Sequence, residues 1–352
     1  MKAVTLAARD DNQSDIWHPL HIKELPKPSL DEVSSKTHAI VRIDAAALNH
    51  RDIFIRQELY PGWKVGAVLG ADGVGHVIEG PAEWKDKRVL IAPMDGWKDD
   101  PRGPNGPKRF GTRGGSEPMT KDGTLSEYVR CPVEHLELCP SFLSTEEAAA
   151  LPLAGLTAYR ALFVKCQPQK GWNLLVTGVG GGVAMMAVQF AVAAGLNVWV
   201  TSGREDKITK AVSIGARGGV SYKRDDWHRQ LKSLLPKERP YLDAVIDSAG
   251  GDLVERLCPT MRTGGVISCY GQTTLQPLKL TMVAVLKNIE VKGSTMGSSK
   301  DFRDMVRFVD EKRLKPVVSH IVDGLDRVEE AFEIMQKSDQ MGKIVVRISS
   351  KL

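Results

Sequence analysis

Leu174 to Thr177 is an apolar run that passes directly into Gly178-Val179-Gly180-Gly181-Gly182-Val183-Ala184, and no other stretch restricts the fold as much. A short apolar run predicts a buried strand, and the small apolar residues from Ala184 to Ala194 predict a helix packed on it. Glycine lets the backbone turn within the few positions between them. The same glycines allow close approach to a pyrophosphate, Ala184 is small enough for tight helix–strand packing, and the first helical turn offers unpaired N–H groups to phosphate oxygens. The pattern predicts a dinucleotide-binding turn with Gly178, Gly180, Gly181, Gly182 and Val183 as its cradle. A glycine-rich turn without a nucleotide is the competing account; the strand, loop, helix and second strand together favour the cofactor.

Further along, Val198 to Thr201, Ala244 to Ile246, Gly265 to Tyr270 and Ile289 to Lys292 read as strands, with helices at Lys207 to Ile214 and Leu253 to Cys258. Near-continuous apolar strands alternating with helices predict an α/β unit: a doubly wound parallel sheet covered on both faces. Before about residue 150 the character is different. Ala39 to Ala45, Gly73 to Ile78, Arg88 to Ala92 and Ser126 to Val129 are short strand-like runs broken by turns, which predicts an irregular β-rich domain. Met94 to Gly123, dense in Gly, Pro, Lys, Arg and Asp, reads as a surface loop or a substrate-side lid. Ser144-Thr145-Glu146-Glu147 is a capping-box pattern, a helix is expected at Lys300 to Lys312, and Ile344 to Ile348 has a strand pattern that can pair back into the first domain.

A chain of 352 residues fits about two domains and excludes a peptide hormone or disulfide mini-scaffold. Forty-eight basic against forty-three acidic side chains leave a net charge of +5, scattered rather than gathered into a stripe, so no nucleic-acid partner is expected. The five cysteines form no Cys-x-x-Cys pair, no window approaches about 18 uninterrupted apolar residues, and the first residues read as a strand. A cytoplasmic protein with no membrane partner is the expectation.

Where the second strand of such a fold ends, an acidic residue would hold the ribose 2′-hydroxyl of an unphosphorylated cofactor. This chain has Thr201-Ser202-Gly203-Arg204 there. A hydroxyl, a gap and a guanidinium suit a 2′-phosphate, because Arg forks onto phosphate oxygens. Ser202, Gly203 and Arg204, with Lys207 and Tyr222, make the expected pocket, and NADPH the expected cofactor. Glu205 and Asp206 are adjacent; either they cap the following helix, or Glu205 holds the hydroxyl pair and reverses the preference.

Asn49-His50-Arg51-Asp52, Leu69-Gly70-Ala71-Asp72-Gly73-Val74-Gly75, Gly123-Thr124-Leu125-Ser126-Glu127-Tyr128, Leu156-Thr157-Ala158-Tyr159, Asp243-Ala244-Val245-Ile246-Asp247 and Gly342-Lys343-Ile344-Val345 surround the glycine turn. With them the chain resembles the medium-chain dehydrogenase/reductase superfamily over essentially its whole length. The resemblance implies a GroES-like catalytic domain from residues 1–153 and 296–352, a Rossmann domain from 154–295, and an active site in the cleft. It also implies a choice about zinc. The positions that resemble the family's catalytic zinc ligands are Asn49, Ala71 and Ala154, and the cysteines of a structural zinc lobe are missing after Ile91. Alanine donates no electron pair, so no metal is expected; His50 and His76 are weaker substitutes.

Without a Lewis acid, a conjugated acceptor is the natural substrate, since charge from hydride addition spreads onto an oxygen that hydrogen bonds can support. This matches the superfamily's zinc-free branch of quinone oxidoreductases and enoyl reductases, which the chain resembles most. In that branch the segment opening at Asn49 continues through Asp52 to an aromatic hydroxyl eleven positions on, here Tyr60. A phenol is protonated at neutral pH and so suits a proton donor. The resemblance also places Asn49 near the nicotinamide, Thr157, Ser248, Gly271, Thr295 and Met296 along the cofactor, and Lys343 at its phosphates. Asp52 is a catalytic candidate whose residue type fits a structural hydrogen bond better. Trp63, Trp97 and Phe110 are candidate walls of an acceptor pocket. The alternatives are an NADPH-dependent aldehyde or alcohol oxidoreductase without zinc, and a non-catalytic cofactor-binding protein. The family often pairs Rossmann sheets edge to edge, so a homodimer is possible.

Overall fold

A computed structural model describes residues 1–10, 15–31, 33–104 and 110–348. The chain forms two compact units, one from Met1–Ala154 with Ser298–Leu352 and the other from Gly155–Gly297. All five cysteines are free thiols. Among the described residues no helix is long and apolar enough to cross a membrane.

The discontinuous unit is built on a seven-stranded sheet. Its order runs Val318–Asp323, Lys343–Arg347, His38–Ala47, Asp72–Glu79, Arg88–Ile91, Leu136–Leu138, and Tyr128–Pro132 also pairs with His38–Ala47. Lys343–Arg347 returns to this sheet antiparallel, with Val345 opposite Ala47 and Val346 opposite Ala46. At Gly75 a Cβ would sit 2.0 Å from the Arg42 carbonyl oxygen, so only glycine fits that crossing of strands. A short helix, His50–Arg56, opens at Asn49, whose N–H donates to the Asp52 carboxylate at 2.8 Å. The acid thus satisfies a donor that a helix start otherwise leaves orphaned.

The segment from Met94 to Gly123 departs from the surface-loop expectation. Residues 105–109 lie outside the described residues, but Met94–Asp95 pairs with Gly111–Thr112, and Gly111 through Ser116 are buried. Its charged and glycine-rich composition reflects internal hydrogen bonding: Arg113, wholly buried, donates to the carbonyls of Ala92 and Asp122. Trp97 meets Phe110 edge to face at 5.9 Å, while the Trp63 ring lies tilted against His18 at 4.8 Å.

The continuous unit is the predicted doubly wound sheet. Its strands are β1 (Asn173–Val176), β2 (Asn197–Ser202), β3 (Gly218–Ser221), β4 (Leu242–Asp247), β5 (Met261–Cys269) and β6 (Glu290–Gly293). They pair in parallel in the order 3-2-1-4-5-6. Helix α1 (Gly182–Ala193) follows β1, and α2 (Glu205–Ser213) follows β2. Strand order reverses between β1 and β4, and in such sheets ligands bind outside the carboxyl ends of the strands at that reversal.

Candidate cofactor and catalytic site

The cradle lies at the carboxyl end of β1. Gly178 has φ +62° and Gly180 φ +141°, conformations that side chains with a Cβ resist. A Cβ on Gly178 or Gly181 would meet no atom within 4 Å, so the backbone presents an open face there. Gly181 is the N-cap of α1 and Gly182 and Val183 form its first turn, with no side chain capping the free N–H groups. An open glycine face over uncapped helical N–H groups fits a pyrophosphate. The loop is pinned from beneath: Gly178 N–H donates to Thr201 Oγ1 at 3.1 Å, Val179 N–H to the Thr201 carbonyl at 2.8 Å, and Ser202 Oγ to the Val179 carbonyl at 3.2 Å.

At the end of β2, Gly203 and Tyr222, two of the residues expected at the ribose, lie together. A Cβ on Gly203 would lie 2.7 Å from the Tyr222 hydroxyl and 3.2 Å from Lys223 Cε, and one on Gly180 would lie 2.9 Å from Lys207 Cδ. Lys207 therefore reaches over the glycine loop at Gly180, and Lys223, which sequence reasoning passed over, brings a cation to Gly203 near Tyr222. Arg204 forks onto Asp206 at 2.9 and 2.7 Å. Asp206 thus engages the guanidinium as well as backbone N–H groups in the first turn of α2, and the arginine above all holds its carboxyl below the usual range. Both groups are well exposed.

Toward the other end, Gly271 packs against Ser248, with 3.3 Å from its ideal Cβ position to Ser248 Cβ. Thr157 Oγ1 points at the Met296 sulfur at 4.0 Å, and Met296 has φ +39°, a constrained backbone for a non-glycine residue. Thr295 beside it is exposed. Asp243 and Asp247 hold the scaffold: Asp243 accepts from Asn173 N–H and a forked Arg239, Asp247 from Thr177 and the N–H groups of Ala249 and Gly250.

In the other unit Asn49, Asp72 and Lys343 form a buried polar knot. The Lys343 ammonium donates to Asp72 Oδ2 at 2.8 Å, to the Leu48 carbonyl at 2.7 Å and to Asn49 Oδ1. Asn49 Nδ2 donates to the same Asp72 oxygen at 2.9 Å, and Asp72 Oδ1 accepts from Leu153 N–H. Where the resemblance implied a phosphate contact, three acceptors within its own unit take the three ammonium protons of Lys343. Asp52 is wholly buried; burial pushes its carboxyl up from the ordinary value, opposed by Arg51 beside it. It fixes the helix start by accepting from the Asn49 N–H.

Zinc's family positions hold the methyl groups of Ala71 and Ala154, both wholly buried, and the Asn49 carboxamide, already engaged on both sides. This donor set does not fit a zinc ion, which takes N, O or S ligands. The substitutes are apart: His50 lies edge-on to Phe54, and His76 lies 2.8 Å from Asp44. Among the described residues no three His, Cys, Asp or Glu side chains gather as a metal would require. Tyr60 is half-buried, its hydroxyl 3.2 Å from Thr112 Oγ1 and its ring under the Arg51 guanidinium at 4.5 Å. Asp72, Thr112 and Arg51 went unassigned from sequence; only Asp72, an acid inside a glycine-rich motif, carried a local signal.

A glycine cradle on a helix N-terminus, at the reversal point of a doubly wound sheet and in a chain with a second, β-rich unit, is the architecture of a nicotinamide-dependent oxidoreductase. Residues 35–141 match the family described as alcohol dehydrogenase GroES-like domain, and residues 182–311 the one described as zinc-binding dehydrogenase. The zinc-type alcohol dehydrogenase-like protein YogA of Leptosphaeria maculans is 41% identical, across 98% of this chain and 99% of its own. An acryloyl-coenzyme A reductase of Sulfurisphaera tokodaii is 28% identical over 92% of this chain and 94% of its own. A solved NAD-dependent alcohol dehydrogenase superposes with a TM-score of 0.84 at 30% identity, covering 99% of this chain and 100% of that one. The chain belongs to the medium-chain dehydrogenase/reductase superfamily.

Proposed function

We propose that this oxidoreductase is a zinc-independent, NADPH-dependent reductase of quinones, enones or other activated double bonds. The observation that carries the reading is the pair of buried methyl groups, Ala71 and Ala154, where the family's metal would need donors. A relative named for reducing acryloyl-coenzyme A, a conjugated acceptor, supports it. When bound, the nicotinamide supplies a hydride. The chain's own part is to hold the dinucleotide on the cradle, to grip its 2′-phosphate with Arg204, Lys207, Tyr222 and Lys223, and to meet the charge on the acceptor oxygen with the Tyr60 hydroxyl. Thr157, Ser248, Gly271, Thr295 and Met296 line the path of the nicotinamide half. Holding donor and acceptor in line is itself worth up to about 7–11 kcal/mol.

The test is turnover of a quinone, an enone and a simple aldehyde with NADPH, each with and without a zinc chelator. We expect quinone and enone to be preferred, no loss with chelator, and substoichiometric zinc in the purified protein. Preferential aldehyde turnover, or inhibition by the chelator, would replace this reading with that of an alcohol dehydrogenase.

The cofactor preference has its own test. The Arg204–Asp206 pair is exposed, and water and salt screen such pairs strongly. A phosphate that accepts charge-assisted bonds from several cations at once competes successfully for the arginine. Arg204→Glu should weaken NADPH binding about ten- to hundred-fold, the span of one or two charge-assisted hydrogen bonds, and leave NADH nearly unchanged. Asp206→Asn should strengthen NADPH binding. Equal affinity of the unaltered protein for both cofactors would defeat the assignment.

We also propose that the partner of the sheet edge is a second copy of this chain. Met282, Val285 and Leu286 are 69, 55 and 74% exposed next to β6, an outer strand. Glu290 and Lys292 share one face of that strand, 2.8 Å apart. Antiparallel pairing of two copies about Val291 sets each Glu290 opposite a Lys292 and covers the apolar helix. Met282→Glu with Leu286→Glu should halve the mass measured by light scattering; a monomeric unaltered protein would refute the pairing.

A further inference from the structure

We infer that Arg51 is a positioning residue for the hydroxyl of Tyr60. The inference rests on the reading of Tyr60 as proton donor to the reduced acceptor. Arg51 is buried in the first turn of the His50–Arg56 helix. Its Nη1 donates to the Arg113 carbonyl at 3.0 Å, and its Nη2 lies at 3.0 Å from Thr112 Oγ1, 2.8 Å from the Gly114 carbonyl and 3.1 Å from Ser116 Oγ. Over its other face lies the Tyr60 ring, 4.5 Å away, whose oxygen is 3.2 Å from the same Thr112 hydroxyl. One guanidinium therefore touches the phenol twice, through its ring and through the partner of its oxygen.

Proton bookkeeping gives this geometry a direction. A guanidinium has five donors and no acceptor, so Thr112 Oγ1 must accept from it and keeps its own hydrogen to give. The two Nη2 hydrogens are shared among the Gly114 carbonyl, Thr112 Oγ1 and Ser116 Oγ, and Ser116 Oγ donates to the Thr112 carbonyl at 3.4 Å. The Thr112 hydrogen has two acceptors in reach, the Tyr60 oxygen at 3.2 Å and Ser116 Oγ at 3.3 Å; we assign it to the nearer Tyr60 oxygen, which leaves the phenol proton pointing away from Thr112, available to an acceptor. In the step, the Tyr60 O–H bond breaks with its electron pair kept on the phenol oxygen, and a new O–H bond forms on the substrate oxygen. The two reducing electrons arrive with the hydride of the nicotinamide, and water returns a proton to the phenolate.

A double-mutant cycle tests this. Tyr60→Phe, Arg51→Lys, Thr112→Val and the two doubles carrying Tyr60→Phe are compared for kcat and KM with an enone at saturating NADPH, for NADPH Kd and for thermal unfolding. Tyr60→Phe should lower kcat by about 10²-fold, the loss of a general acid. Arg51→Lys and Thr112→Val should each lower kcat by about tenfold or more through misplacement of that acid, with NADPH Kd unchanged. In the Tyr60→Phe background neither should lower kcat further. If Arg51→Lys does not fold, the Thr112→Val arm decides alone. Equal losses in both backgrounds would reduce Arg51 to scaffold while Tyr60 keeps its role. Unchanged kcat in Tyr60→Phe would remove the donor itself, and the inference with it.

Discussion

Replacing Lys343 by methionine is expected to destabilise the protein by about 3–5 kcal/mol, the cost of breaking a buried ion pair from one side. Asp72 is wholly buried, and the substitution leaves its Oδ2 with only the Asn49 amide. The Leu48 carbonyl and Asn49 Oδ1 lose the ammonium as well. An ionised carboxylate without a counter-charge in that setting is expensive, because the interior cannot solvate it as water does. Denaturant unfolding measures the loss. Adding Asp72→Asn to Lys343→Met should recover a large part of it, since a neutral amide needs no counter-ion and still accepts from Leu153 N–H. A loss below about 1 kcal/mol, the usual worth of an exposed pair, would show that water reaches Asp72. The same variant separates two roles for the lysine: a phosphate ligand would weaken cofactor affinity with stability intact, whereas the observed knot predicts the reverse.

Gly180→Val is expected to abolish measurable NADPH binding, a loss of at least about 100-fold, comparable to about 2.7 kcal/mol. The residue has φ +141°, a region that only glycine populates freely, and its new Cβ would lie 2.9 Å from Lys207 Cδ and 3.1 Å from Lys207 Nζ. Relief of that clash must move either the loop or the lysine, and both are parts of the proposed phosphate grip. Gly178→Ala is the contrast. At φ +62° with open space around the added methyl, it costs about 1–2 kcal/mol of backbone strain but removes no phosphate donor. Cofactor quenching of tryptophan fluorescence reads the affinities, and circular dichroism confirms that the fold survives. Undiminished NADPH affinity in Gly180→Val would place the pyrophosphate somewhere other than this loop.

How far the sequence could be read depends on where each residue finds its partners. Strands β1, β2, β4 and β5 are buried on both faces and so wrote themselves as apolar runs, each recognised within a few residues of its ends. The glycine turn was legible because its neighbours in sequence are also its neighbours in space. Lys343 was not: its partners Asn49 and Asp72 are 294 and 271 positions away, and a lone lysine in a sequence shows a charge without showing what neutralises it. Arg51 is similar, since Thr112, Gly114 and Ser116 sit in a segment whose polar composition imitates a surface loop. The strand Leu20–Glu24 carries four exposed residues out of five, and the helix Met282–Leu286 has only one buried side chain, so neither has the periodicity that marks a half-buried element.

The strand Lys343–Arg347 lies between Val318–Asp323 and His38–Ala47, so the sheet begun near residue 38 has an open slot until residues 343–347 have left the ribosome. Residues 155–297 need nothing from beyond themselves to close their own sheet. During synthesis the usual amino-first sequence of maturation is therefore inverted: the middle of the polypeptide can settle while its beginning waits. A premature stop before codon 343 yields a protein with an intact nucleotide module and an unsealed β-layer, a form suited to capture by chaperones and proteases.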